Sequence, residues 1–180
     1  MNIEREIKVM GMSVKEMEEL IENTGGFFIC RKEMINIMFD NKNIITPYGY
    51  LRLRITRLSG ETPDKEHYEL TFKEDVYNEE GYRESVEHNI AVDNVENTLG
   101  FLKAIGYEVS ENRTKMRTVY MLGTTTIEID EWDKSVYPEP YMEIEFKNKS
   151  EMEKILSILK IKPEQVSTKS INQLIYELNK

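Results

Sequence analysis

The sequence predicts an α+β fold: an eight-stranded antiparallel β-barrel with a charged interior and helices packed outside. Three observations lead there. Strict apolar–polar alternation recurs in segment after segment, as in Tyr50-Leu51-Arg52-Leu53-Arg54-Ile55 and Tyr68-Glu69-Leu70-Thr71-Phe72-Lys73. Few of these segments are separated by a helical pattern, so most neighbours should pair antiparallel. The polar faces are also sorted by charge, with carboxylates on the first and last strands and Lys or Arg on the middle ones.

The first strand is Ile3–Val9, where Glu4, Glu6 and Lys8 share one face and Ile3, Ile7 and Val9 the other. Ser13-Val14-Lys15-Glu16 is a capping box that opens a helix carrying Met17, Leu20 and Ile21, and Gly25-Gly26 ends it. Strands follow over Phe27–Phe39, Tyr50–Ile55, Tyr68–Lys73 and Tyr82–Ile90. Asp93 with Glu96 marks a second helix through Leu99, Leu102 and Ile105, stopped by Gly106. Three strands come next: Arg113–Leu122, Ile127–Asp130 and Met142–Phe146. Ser150 with Glu153 marks a third helix ahead of Pro163, and Lys169–Leu178 reads as a final amphipathic helix. No linker or repeat interrupts the 180 residues, which are read as a single domain, 1–180.

Composition narrows the function. With 39% hydrophobic and 32% charged residues the chain is polar but globular, and no apolar run approaches a membrane span. The lone Cys30 forms no internal disulfide and leaves no Cys cluster for zinc. With no signal-peptide core, a cytoplasmic location is expected, and the sequons at Asn112 and Asn148 are chance matches. A net charge of −9 argues against a broad nucleic-acid or membrane surface, so neither partner is expected. A local basic pocket remains open. Only His67 and His88 are available, and no Ser–His or Cys–His pair is evident, which argues against covalent catalysis.

A single Glu-x-Glu or Arg-x-Arg strand is ordinarily a solvated face. Recurrence on five or six strands changes that reading, because helices can cover only the apolar faces. If the sheet closes, the charged faces point inward, where an eight-stranded barrel has room for one small ligand. Buried Lys and Arg then need a polyanion to balance them. Paired Glu residues suit a hard cation such as Mg²⁺, while Arg forks suit phosphate oxygens. The implied ligand carries several linked phosphates.

These residues resemble the CYTH superfamily, the triphosphate tunnel metalloenzymes. That group includes inorganic and thiamine triphosphatases, class IV adenylate cyclases and fungal RNA triphosphatases. The resemblance lies in an ordered set spanning nearly the whole chain: Glu4-x-Glu6-x-Lys8, Leu51-Arg52-Leu53-Arg54, Leu70-Thr71-Phe72-Lys73, Arg83, Lys115-Met116-Arg117, Ile127-Glu128-Ile129-Asp130, Tyr141-Met142-Glu143-Ile144-Glu145 and Thr168-Lys169-Ser170. It implies that Glu4, Glu6, Asp130, Glu143 and Glu145 are the catalytic carboxylates and hold one or two Mg²⁺ or Mn²⁺ ions. It implies that Lys8, Arg52, Arg54, Lys73, Arg83, Lys115, Arg117 and Lys169 bind the triphosphate, and that Glu128 has a paired, supporting role. Lys169 also stands where a cation opposes the helix dipole, a conflict that a bound anion would relieve.

The expected activity is metal-dependent hydrolysis of a triphosphate. The same tunnel serves adenylate cyclisation of ATP equally well, and a non-catalytic polyphosphate-binding module is the alternative from another class. The loop DEWDKSVYPEPY, with Trp132, Tyr137 and Tyr141, is read as packing and turn-shaping rather than base-stacking. Such a barrel is compatible with a homodimer.

Overall fold

The computed structural model describes residues 2–42, 49–59, 66–76 and 80–180. Eight strands close into an antiparallel barrel: β1 (Asn2–Val9), β2 (Phe27–Asp40), β3 (Gly49–Leu58), β4 (His67–Val76), β5 (Arg83–Val92), β6 (Glu108–Leu122), β7 (Thr125–Trp132) and β8 (Tyr141–Glu145). Their order is β5-β4-β3-β2-β6-β7-β8-β1, and β1 pairs back to β5 to close the ring. A two-residue strand β9 (Val166–Ser167) also pairs with β1, opposite Lys8 and Val9.

Alternation fixes what faces where. Ile7, Val9, Ile127, Ile129, Met142 and Ile144 point outward and are at most 1% exposed. They pack beneath α1 (Val14–Asn23) and α3 (Lys149–Ile158) through Met17, Ile21, Met152 and Ile155. On the far side, α2 (Val95–Ala104) covers β2–β5 by setting Leu102 on Leu53 and Phe39. Burying each such side chain contributes about 1.5–3 kcal/mol, so the outer faces of the sheet are what the helices hold. The inner faces are left to their charges.

The capping box at Ser13 forms as expected, with Glu16 N–H donating to Ser13 Oγ and Ser13 N–H donating to Glu16. Past Thr24, Gly25 takes a φ of 93°. A Cβ on Gly26 would collide with Ile21, so the tight exit from α1 depends on both glycines.

Two other helices begin elsewhere than the sequence suggests. The cap of α2 is Asn94 rather than Asp93, because Asn94 Oδ1 accepts from Asn97 N–H at 2.8 Å. The cap of α3 is Asn148 rather than Ser150, its Oδ1 accepting from Glu151 N–H at 3.1 Å. Neighbouring Asx and Ser residues compete for one role, and the backbone's entry angle decides between them. The last helix, α4 (Ile171–Leu178), starts at a Ser170 cap, so Lys169 lies just ahead of it. Among the described residues no helix is long and apolar enough to cross a membrane.

Candidate active site

The inward faces enclose a cavity of about 180 Å³ lined by eight cationic and five carboxylate side chains. Its walls differ. On one side β5, β1 and β8 stand side by side and present Glu87, Glu4, Glu6, Glu143 and Glu145. On the other, β4, β3 and β6 present Lys73, Arg52, Arg54, Arg113, Lys115 and Arg117. Lys8 and Arg83 stand among the acids. Register sets these juxtapositions: Glu6 is opposite Arg83 on β5 and Glu145 on β8, and Lys8 is opposite Glu143.

Three of the five expected carboxylates converge. Glu4, Glu6 and Glu143 each offer an oxygen, and the three oxygens lie within 4.8 Å of one another. Glu6 is 1% exposed, and its Oε1 accepts from Lys8 at 2.9 Å and from Arg83 at 2.6 Å. Its Oε2 is buried without a hydrogen-bond partner. Burial works against ionising Glu6, yet the cations Lys8, Lys73 and Arg83 hold its pKa well below the usual carboxylate value. Burial pushes Glu143 well above it, and the negative Glu6 adds to the effect. The two neighbouring carboxyls are thus pushed in opposite directions. Burial also raises Glu4 against the pull of Lys73, whose ammonium is 2.5 Å away. An all-oxygen donor set with one orphaned, buried carboxylate oxygen fits a hard divalent cation.

The remaining two expected carboxylates differ in their surroundings. Glu145 lines the cavity, and burial, with Glu128 and Glu4 nearby, raises its pKa to about 7. Asp130 faces inward but is fully enclosed, accepting from Lys115 at 2.5 Å and from Arg117 Nε at 2.6 Å. Those cations override burial and hold it well below its ordinary value. Glu128 pairs with Arg117, whose Nη2 also lies 3.2 Å from Glu143.

Of the eight expected triphosphate ligands, seven line the cavity. Lys169 does not; its ammonium pairs with Glu177 at 2.7 Å, half exposed, although Ser170, Ile171 and Asn172 beside it do reach the cavity. The lining cations fall into two sets. Lys8, Lys73, Arg83, Arg113, Lys115 and Arg117 are engaged by carboxylates. Arg52 and Arg54 have no carboxylate within ion-pair distance among the described residues, and Arg52 Nε is buried without a partner. Burial, reinforced by Arg52 and Arg117, lowers Arg54 to about 9. Lys115 falls to about 8 through burial and the nearby Arg117. Arg52 and Arg54, kept without a carboxylate, leave room for an anion that the protein itself does not supply.

The model of the CYTH domain family matches residues 2–172. The chain belongs to the CYTH domain family. A comparison with curated proteins finds no match. Among solved structures, the PH1819 protein of Pyrococcus horikoshii OT3 is 23% identical, with a TM-score of 0.77 over 97% of this chain and 99% of that one. The PH1012 protein of the same organism is 24% identical, with a TM-score of 0.74 over 95% and 98%. HpAC1 of Hippeastrum, named as an adenylyl cyclase and described as having a dominant triphosphatase activity, is 15% identical, with a TM-score of 0.67 over 100% and 97%. At these identities the likeness is one of fold. The CYTH fold is one that binds triphosphates, in a family generally dependent on divalent metal.

The CYTH tunnel is also lined by groups outside the expected metal and triphosphate ligands. Asn36 and Met38 of β2 line it, as do Tyr50, Glu87, Arg113, Trp132 and Tyr141. For Glu87 and Arg113 the alternation itself was the signal, since each continues the inward set of its strand. Asn36 gave none, being an uncharged residue in a segment with weak alternation. Trp132 lines the cavity, but the Lys115 ammonium lies 4.9 Å from its ring centroid and its indole N–H donates to Tyr141 at 2.8 Å. Those contacts agree with a packing role.

Proposed function

We propose that this protein hydrolyses a phosphoanhydride of a small triphosphate, tripolyphosphate being the simplest substrate, in a divalent-metal-dependent reaction. One observation carries the reading: a wall with two unpaired guanidinium groups faces three convergent carboxylates, in a chain whose overall charge is −9. The lining has three more cationic than carboxylate groups. A divalent cation adds to that excess, and a polyanion offsets it.

Glu4, Glu6 and Glu143 would hold the cation. When bound, it offsets phosphate charge and acidifies water. The other steps belong to the protein's side chains. Arg52 and Arg54 bind phosphoryl oxygens in two-pronged fashion, and Lys8, Lys73 and Lys115 add point charges, so charge spreading over those oxygens meets preset donors. Glu145, with its pKa near 7, suits acceptance of a proton from attacking water at neutral pH. Asp130 is held as a permanent anion by Lys115 and Arg117, and its role is to orient them.

The test supplies the protein with Mg²⁺ or Mn²⁺ and tripolyphosphate, thiamine triphosphate or ATP, and measures orthophosphate and cyclic AMP. Phosphate release that EDTA abolishes is the expected result. Cyclic AMP from ATP would make the protein a cyclase, and tight binding without product a non-catalytic module.

A further inference from the structure

Asn36 lies in the middle of β2, 1% exposed, between β3, which carries the carboxylate-free Arg52 and Arg54, and β6. Across one ladder it is paired with Arg54 and across the other with Arg113. Its side-chain nitrogen donates to the main-chain oxygens of Arg113 at 3.1 Å and Met34 at 3.5 Å. Those two acceptors fix the amide's orientation, because a reversed amide would set oxygen against oxygen. Oδ1 is thereby turned to Arg54, accepting from its Nε at 2.9 Å. With Nε occupied, the terminal nitrogens of Arg54 remain the free end of the fork in the cavity wall.

The chemistry explains an amide at this position. A carboxylate would pair with Arg54 and cancel the charge that draws a polyanion. It would also lack the N–H donors that the Arg113 and Met34 oxygens use. An aliphatic residue would leave the guanidinium free to rotate. We infer that Asn36 is a positioning residue for Arg54, a neutral acceptor that aims the guanidinium at a phosphoryl group of the substrate while leaving its charge intact. The inference rests on the triphosphate reading above.

The test is a double-mutant cycle on tripolyphosphate affinity, measured by calorimetry with Asn36→Ala, Arg54→Met and the pair, alongside Lys73→Met with and without Asn36→Ala. Loss of a hydrogen bond to a charged group should weaken binding about tenfold in the wild-type and Lys73→Met backgrounds. In the Arg54→Met background it should cost nothing. Asn36→Asp, of nearly the same volume, should weaken binding at least as much in the presence of Arg54, whose charge it cancels. Equal losses with and without Arg54, or no loss in wild type, would overturn the inference. A second readout separates this from the substrate question: the Arg54 Nε–H resonance should be protected from exchange in wild type and lost in Asn36→Ala. If wild type binds no tripolyphosphate the triphosphate reading fails, whereas a protected Nε–H that survives in Asn36→Ala refutes the role of Asn36.

Discussion

Replacing Arg54 by Met should stabilise the ligand-free protein while weakening its grip on triphosphate. Arg54 has Asn36 as its hydrogen-bond partner and faces Arg52 and Arg117 without an ion-paired carboxylate among the described residues. Burial and those two neighbours bring the guanidinium well below its ordinary value, down to about 9. At 1.36 kcal/mol per pH decade this is at most about 5 kcal/mol of strain on the charged form. The side chain is partly open to cavity water, which screens the repulsion, so about 2 kcal/mol is the expected gain. Urea denaturation without divalent cation or phosphate should show that gain, and thermal melting a rise of about 4–8 °C. Because the folded-state pKa lies below the unfolded one, the penalty is complete below pH 9. It fades as pH rises beyond that, so the advantage of Arg54→Met should shrink in alkaline buffer. Saturating tripolyphosphate should then stabilise wild type far more than Arg54→Met, through mass action on the folded state. An Arg54→Met protein less stable than wild type, or equally stabilised by tripolyphosphate, would refute the idea that the wall stores unpaired charge for an anion.

Glu6→Gln and Glu143→Gln should both reduce metal-dependent turnover at least 100-fold, by about the 2.7 kcal/mol that such a factor represents, yet differ in denaturation experiments. Glu6 is held ionised by Lys8 and Arg83, so its amide takes from Lys8 its nearest carboxylate and leaves Arg83 only Asp75 among the described residues, at a cost of about 3 kcal/mol. Glutamine at 143 removes a charge that burial and Glu6 already disfavour and should change stability by less than about 1 kcal/mol. Divalent-cation affinity should rise with pH through about 7 as Glu145 ionises, with proton release on binding visible as a buffer-dependent calorimetric enthalpy. Leu53→Ala, at a fully buried contact under α2, should lower stability by about 2–5 kcal/mol in chemical denaturation and leave the cavity's charged lining in place.

The sequence by itself determined the barrel, the division of each strand into an apolar and a charged face, and the sorting of charge among strands. These follow from a two-residue period that any strand imposes locally, whatever it pairs with. For the same reason it placed seven of the eight expected cations at the cavity. Only the tertiary structure decided which charges meet. Closure of β1 on β5 and β8 brings Glu6 to Arg83 and Glu145, pairings between residues far apart in the sequence. Which carboxylates converge depends on differences of a few ångströms: Glu4, Glu6 and Glu143 come together, while Asp130, on the same inner surface, is claimed by Lys115 and Arg117. Lys169 turns to Glu177, a residue near the far end of α4 that no strand pattern relates to it. Asn36 has meaning only beside Arg54, since an uncharged amide shows its value through the cation it orients. Side-chain period is a property of the backbone, whereas partnership between buried charges is a property of distance, and distance is set by the closed sheet.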